Sequence, residues 1–162
     1  METNPQLDLV VNMTLTAWNA QNGYLNKLLD ELTDEQLMNE ISPGRNRGIY
    51  LLGHLVAVSD AMLPVLGFGD RLFPALEEIF IKNPDKARQE MPSIPELKGN
   101  LVAINAKLKE NINATSSTQW LKKHNSVSAE DFVKEPHRNK LNIIISRTSH
   151  MANHIGQMLL LK

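Results

Sequence analysis

The sequence predicts an all-α fold, a four-helix bundle with a long crossover connection, and three observations support this prediction. Apolar residues recur at spacings of three and four in four long segments, which is the pattern of amphipathic helices. No segment shows the strict alternation and hairpin turns of β-strands. A chain of 162 residues is long enough for one sizeable core, so we predict a single domain over residues 1–162.

Two of the long helices are predicted in the first part of the chain. Periodic Leu, Val and Trp residues predict the first helix over residues 5–32, and a capped helical turn follows at 33–37. Pro and Gly residues mark a loop at 42–48. The second helix is predicted over residues 46–66, where Pro64 should bend it or end it.

A connection rich in Pro and Gly separates the second helix from the third. It covers residues 67–95 and is predicted to hold one short helix near 74–81. Ser93 is the expected N-cap of the third helix, which continues to about residue 113 or as far as Trp120. Because this connection is long enough to cross the bundle, a simple up-down-up-down order is not required.

The fourth helix is predicted over residues 139–162, after a second connection at 121–138. That connection contains the sequence SAEDF, which is typical of a capped short helix. The fourth helix carries the sequence SHMANHIGQ, in which two of the five histidines of the chain stand four positions apart.

Composition and charge exclude several classes of function. The net charge is −1, from 17 basic and 18 acidic residues, so nothing favours a nucleic-acid or anionic-membrane partner. No apolar run approaches the ~20 residues that a membrane-spanning helix needs. The polar N-terminus has no signal-peptide pattern, so we expect a cytoplasmic protein. Because the chain has no cysteine, a metal site would need His and carboxylate ligands.

Three histidines in two of the predicted helices suggest such a site. His150 and His154 lie ~40° apart around a helix, with Cβ atoms ~6 Å apart, so both imidazoles can reach one ion. His54 stands in mid-helix among apolar residues and should face the core, where an unsatisfied imidazole costs free energy. Bundles draw metal ligands from facing helices, which makes His54 the candidate third ligand. The alternative is that all three are core residues, since an H-x-x-x-H pair alone is weak evidence.

The surrounding sequence narrows the chemistry. His124 and His137 fall in polar connecting segments and are not expected to be ligands. Residues 151–153 are Met, Ala and Asn, so the glutamate of a zinc-protease H-E-x-x-H motif is absent. Peptidase chemistry of that type is therefore excluded, and no residue of the sequence is identified as the general base.

Helical geometry places three further residues beside the histidines. Gln157, ~20° around the helix from His150, is a candidate hydrogen-bond partner of a ligand or of the adjacent helix. Arg147, one turn before His150, is a candidate for binding an anionic substrate group, although a surface ion pair is the commoner role. Tyr50, one turn before His54, is a candidate acid, a hydrogen-bond donor or a core residue, of which the last is the commonest. Gly156 is expected to allow close helix packing.

In these residues and in the order of its helices, the chain resembles the DinB/YfiT-like superfamily of metal-dependent enzymes. The residues that carry the resemblance are Gly53, His54, Leu55, His150, His154, Gly156 and Gln157. The resemblance implies a four-helix bundle in which the three histidines match the metal ligands of the family. The chain departs from the family in one position, because the Arg that often stands between the last histidine and the glycine is Ile155 here.

The resemblance also suggests an activity and an assembly. Some relatives transfer or isomerise low-molecular-weight thiol conjugates, and family members often pair, so we expect a homodimer. An exposed apolar stripe on the first or third helix would support that pairing. The ion is expected to be Zn²⁺ or Ni²⁺, with Fe²⁺ and Mn²⁺ also compatible with imidazole ligands.

Three hypotheses about function follow. The first is a metal-dependent hydrolase or thiol S-transferase that acts on a small molecule, since three histidines with an open position are typical of catalytic zinc. A metal in such a site lowers the pKa of a bound water or thiol. The second is a non-catalytic bundle in which a metal or small ligand serves stability or sensing. The third is a bundle without metal, whose histidines are core residues.

Overall fold

The computed structural model describes residues 4–87 and 90–162. All the secondary-structure elements assigned within these residues are helices. The predicted all-α class is therefore confirmed. In chain order the helices are α1 (Pro5–Glu31), α2 (Asp34–Met38), α3 (Gly48–Leu66), α4 (Leu76–Phe80), α5 (Ile94–Ala114), α6 (Ser117–Trp120), α7 (Ala129–Lys134) and α8 (Lys140–Met158). A 3₁₀ turn (Leu159–Leu161) follows α8. The four long helices α1, α3, α5 and α8 are those that the apolar periodicity predicts.

Side-chain caps place several helix starts where the sequence predicts them. Thr33 and Gln36 form a complete capping box at α2, so each side chain binds the backbone N–H of the other residue. The Ser93 hydroxyl accepts a hydrogen bond from the N–H of Glu96 at the start of α5. Ser128 caps α7 in the same way, which confirms the short helix predicted in the second connection.

The third long helix ends at the earlier of its two predicted boundaries. The helix that begins at Ile94 ends at Ala114 and does not continue to Trp120. The reason is a second capping box, in which the Ser116 side chain accepts from the backbone N–H of Gln119 and Gln119 binds the Ser116 N–H in return. These caps satisfy the backbone of a new helix, α6, rather than extending the old one.

A glycine ends α3, and the proline near its end does not. Pro64 lies inside the helix, where it removes one backbone hydrogen bond from the last turn without ending it. Gly67 follows Leu66 with φ of 76°, and its N–H bonds to the Leu63 carbonyl. This left-handed conformation is the common helix C-cap, and it is accessible to glycine without strain.

The long helices pack in sequence across the molecule. α1 packs against α8, α8 against α3, and α3 against α5. An ion pair between Glu31 and Lys162 joins the C-terminal ends of α1 and α8, so these two helices run parallel. The start of α3 lies beside the end of α8, where Gly48 adjoins Leu161. α3 and α8 are therefore antiparallel.

The connection between α3 and α5 returns the chain along the bundle. Ile49 near the start of α3 and Ile94 at the start of α5 line the same groove, so these packed helices begin at the same end. At the opposite end, the Asn125 side chain donates a hydrogen bond to the Pro64 carbonyl. α3 and α5 are therefore parallel, and the segment between them is a crossover, as its length suggests.

α3 is the central helix of the core. By length and mean hydropathy it could cross a membrane, contrary to the expectation that no apolar run of the chain approaches that length. However, 78% of its most apolar window is buried inside the protein. Its apolar character is explained by this burial, which is typical of the core helix of a soluble protein.

Two polar contacts attach the crossover connection to α3. The buried Asp60 carboxylate accepts hydrogen bonds from the backbone N–H groups of Leu72 and Phe73, at 2.7 and 3.1 Å. At the other end of α3, the Arg47 guanidinium pairs with the buried Asp85 carboxylate at 2.7 Å, and the Arg47 N–H donates to the same group. These contacts hold α4, which lies between them in sequence, against α3.

Candidate metal centre

Three imidazoles from two antiparallel helices converge at one place. The Nε2 atom of His150 lies 3.2 Å from Nε2 of His54 and 3.1 Å from Nε2 of His154. One nitrogen of each ring lies within 4.8 Å of the other two, so the group can hold a metal ion. All three rings are partly buried. The structure thus brings His54 of α3 to the H-x-x-x-H pair of α8, where the apolar surroundings of His54 made it the candidate third ligand.

The other ring nitrogen of two of these histidines is hydrogen-bonded. Nδ1 of His54 lies 2.7 Å from the Phe80 carbonyl oxygen, which can only accept, so Nδ1 carries the proton. Nδ1 of His154 lies 2.8 Å from Oε1 of Gln157 and donates to it in the same way. In their neutral forms both rings then present an unprotonated Nε2, which is the form that binds a metal.

The donor set is suited to a cation. Once His54 and His154 carry their protons on Nδ1, their Nε2 atoms have only lone pairs to offer His150. Nε2 of His150 has at most one proton when the ring is neutral, so at least one of its two short contacts is between lone pairs. A metal ion shared by the three nitrogens removes this conflict, whereas an ordinary hydrogen-bond network does not.

Gly53 explains how the Phe80 carbonyl reaches His54. A Cβ atom at position 53 would overlap the ring of Phe80, which is fully buried against α3. The absence of a side chain at Gly53 therefore lets α4 approach α3 at the level of His54. Gly156, by contrast, is exposed, and a Cβ atom added there would have no neighbouring atom within 4 Å. The packing role expected for Gly156 is therefore wrong.

Comparisons with known proteins agree with the fold and leave the family open. No protein-family model and no curated protein matches the chain. Among solved structures, the chain is similar to the crystal structure of a conserved protein from Enterococcus faecalis, with a TM-score of 0.65. The two chains are 16% identical, and the similarity covers 94% of each. At this identity the similarity shows a shared fold and nothing about activity.

The surroundings of His54 and His150 favour their neutral forms. Burial is the main cause that lowers the pKa of His150 to about 4, and the charges of His154, His54 and Arg147 contribute to the same shift. Burial also lowers the pKa of His54, against the opposing effect of the Phe80 carbonyl, with smaller contributions from the charges of His154 and Arg147. His54 and His150 are therefore available as neutral ligands at physiological pH, because no proton has to be displaced from them.

These shifts predict a pH dependence of stability. The unfolded chain has a His150 pKa near 6.5, so between pH 6.5 and about 4 the unfolded state binds more protons than the folded state. The free energy of unfolding should therefore fall as the pH falls through this window. We expect urea denaturation with a chelator present to show a smaller fall in His150→Ala than in the wild type. Identical pH dependence in the two proteins would contradict the prediction, and the exposed His137→Ala is the control.

Tyr50 and Gln157 lie beside the histidines, as predicted, and have defined partners. The Tyr50 ring stacks at 6.4 Å from His54, and its hydroxyl donates to the Asn83 carbonyl at 2.7 Å. Tyr50 is thus a buried donor to the crossover connection, and burial raises the pKa of its phenol. Gln157 accepts the proton of His154 and so fixes the orientation of that ring.

Arg147 does not form a surface ion pair with any described residue, although that was the commoner of its two expected roles. Within residues 4–87 and 90–162, no carboxylate pairs with its guanidinium, and the side chain is partly buried. Its charge is close enough to lower the pKa of both His54 and His150. The arginine therefore belongs to the surroundings of the three histidines.

The two remaining histidines lie outside the cluster. His137 is exposed. His124 is buried, although it stands in a connection, and its Nδ1 accepts a hydrogen bond from the N–H of Ser126. Sequence reasoning missed the role of Phe80, because it acts through a backbone carbonyl. The one signal available was the glycine directly before His54.

Proposed function

We propose that the protein is a metal-dependent enzyme that acts on a small molecule, with His54, His150 and His154 as the ligands of a divalent transition metal. The observation that carries the proposal is the convergence of three Nε2 atoms, two of them on rings whose Nδ1 protons are held by Phe80 and Gln157. Fixed tautomers of this kind are common to histidines that bind metals. The resemblance to the DinB/YfiT-like superfamily supports the same assignment.

The ligand set favours catalysis over a purely structural role. Structural zinc sites are usually closed by four protein ligands, and catalytic sites keep a position for water or substrate. In the described residues, the candidate cluster contains three histidines and no carboxylate. A bound Zn²⁺ or Ni²⁺ would supply a Lewis acid that lowers the pKa of a coordinated water or thiol. The protein itself contributes the neutral ligands and their orientation.

We propose hydrolysis or transfer of a thiol group as the reaction class. One requirement distinguishes these two reactions: thiol transfer needs an added low-molecular-weight thiol, and hydrolysis does not. Peptidase chemistry of the H-E-x-x-H type stays excluded, because Met151, Ala152 and Asn153 separate the two histidines of α8. The substrate is a small molecule, and the expected cytoplasmic location and the absence of a nucleic-acid partner stay predictions.

Turnover by the metal-loaded protein tests this function. Protein loaded with Zn²⁺ or Ni²⁺ is assayed with activated esters and amides, and with electrophiles in the presence and absence of a small thiol. We expect turnover in the wild type at least about a hundredfold above that of His154→Ala, because removal of a ligand destroys the site. The exposed His137→Ala is the matched control and should keep full activity.

The result of this assay also separates the alternatives. A protein that binds metal and turns over no substrate in the panel supports the non-catalytic hypothesis, with the metal serving stability or sensing. Turnover that persists in His154→Ala contradicts the proposed site.

A homodimer is part of the proposal. The exposed apolar stripe that would support it is present on α1, where Leu9, Val10 and Met13 are 60, 52 and 64% exposed. Met13 borders Ile145 of α8, which is 48% exposed, so the apolar surface extends across two helices. Apolar surface of this kind is commonly covered by a partner.

A further inference from the structure

In the described part of the chain, the three-histidine cluster includes no carboxylate, and the positively charged Arg147 lies near it. Burial is the main cause that lowers the pKa of both His54 and His150, and the charges of His154 and Arg147 lower both further. No carboxylate is among the causes of either shift. The imidazoles are neutral ligands, so they leave the charge of a divalent ion uncompensated. A bound metal and Arg147 together would therefore form a strongly cationic site.

The guanidinium of Arg147 has no hydrogen-bond or ion-pair partner among the described residues. A guanidinium carries five N–H donors and stays charged in proteins, so a partly buried one normally pairs with a carboxylate. Arg147 makes no hydrogen bond or ion pair within the described residues, and burial lowers its pKa. Among the arginines that the structure describes, the other partly buried ones each pair with a carboxylate; they are Arg47, Arg71 and Arg138. A partly buried guanidinium without a carboxylate partner has its N–H donors available for an anionic ligand.

The position of Arg147 defines what it can bind. It lies one turn before His150 on α8, and side chains at this spacing are neighbours, with Cβ atoms ~5–6 Å apart. A molecule held by Arg147 therefore extends to the histidine cluster. The planar fork of a guanidinium matches the two oxygens of a carboxylate, with two parallel hydrogen bonds.

We propose that Arg147 binds a carboxylate of the substrate while a second group of the same molecule, a thiol or a hydrolysable group, lies at the three histidines. This inference rests on the proposed metal site and narrows its substrates to small carboxylates. A separation of roughly two or three carbon atoms between the carboxylate and the second group suits the one-turn spacing.

Binding of two matched thiols to the cobalt-loaded protein tests the inference. The probes are 3-mercaptopropionate and its neutral isostere 3-mercaptopropionamide, and the readout is the visible absorption of Co²⁺, which changes when a thiolate binds. Cobalt content is measured first in each protein. The quantity compared is the ratio of the two dissociation constants, in the wild type and in Arg147→Gln. Because the ratio is compared between proteins, the different acidities of the two thiols cancel.

We expect the preference for 3-mercaptopropionate over 3-mercaptopropionamide to be about tenfold or more larger in the wild type than in Arg147→Gln. Loss of a charge-assisted pair of hydrogen bonds has an effect of this size. The affinity for the amide should change little. Arg138→Gln is the matched control, since Arg138 already pairs with Glu135 and its loss should leave the ratio unchanged.

Each other outcome has a definite meaning. An equal ratio in the wild type and Arg147→Gln overturns the role of Arg147 and leaves the metal site intact. A wild-type protein that binds no cobalt overturns the proposed function, and this inference with it. If Arg147→Gln itself fails to bind cobalt, Arg147→Lys replaces it, because lysine keeps the charge and loses the fork. A ratio in Arg147→Lys equal to that of the wild type then counts against the inference.

Discussion

Protein purified without a histidine tag or a nickel column should contain about one divalent transition metal ion per chain, and His54→Ala and His150→Ala should contain none. The two substitutions remove ligands from different helices, so the loss of metal in both would show that α3 and α8 share one site. Each variant keeps two of the three protein ligands that catalytic zinc sites use, so it should bind the ion too weakly to retain it. Elemental analysis of the three proteins measures the content directly.

Thermal unfolding gives an independent measure of the same site. Added Zn²⁺ at a hundred times its dissociation constant should stabilise the wild type by about 2.7 kcal/mol and raise Tm by about 5–10 °C. The histidine variants should show no such rise, and His137→Ala should behave as the wild type. A wild-type protein that contains no metal and does not bind added Zn²⁺ or Ni²⁺ would make the three histidines core residues.

Gly53→Ala should destabilise the protein and weaken its metal site. The new methyl group overlaps the ring of Phe80, which is fully buried. Overpacking of this kind costs about 1–3 kcal/mol, which corresponds to a fall in Tm of about 4–8 °C at the middle of that range. Displacement of α4 would also remove the Phe80 carbonyl from His54, at a cost of about 10- to 100-fold in metal affinity.

Gly99→Ala is the matched control for that substitution. Gly99 lies inside α5 and is exposed, with no neighbouring atom within 4 Å of an added methyl group. Alanine is the better helix former, so this variant should gain about 0.5–1 kcal/mol and keep its metal affinity. Denaturant titration and metal titration of both variants make the comparison. Equal stability and affinity in Gly53→Ala and the wild type would show that the packing of Phe80 does not position His54.

The helices could be predicted from the sequence because their causes are local. Apolar spacing, caps at Thr33, Ser93 and Ser128, and turn residues each act within a few positions along the chain. The sequence leaves alternatives open where two local signals compete. Ser116 starts a new helix where the periodicity allows the old one to continue, and Pro64 is tolerated in a last turn that Gly67 ends.

The candidate site is partly predictable for the same reason. The spacing of His150 and His154 fixes their relation on one helix, and Gln157 reaches His154 three positions away. His54 is predicted as a third member because a histidine among apolar residues needs partners. The contact of its Nδ1 with a carbonyl 26 residues later was not predicted, because a backbone carbonyl carries no sequence signal of its own and Gly53 indicates only that some group approaches there.

The sequence by itself determined the all-α class, the four long helices and the histidines that share a face of α8. Only the tertiary structure decided that His54 meets them, that Phe80 approaches α3 over Gly53, and that Arg147 has no carboxylate partner in the described residues. The physical reason is the range of the interactions. Periodicity and capping act within a turn or two of helix, whereas convergence, close approach and pairing depend on how distant segments pack.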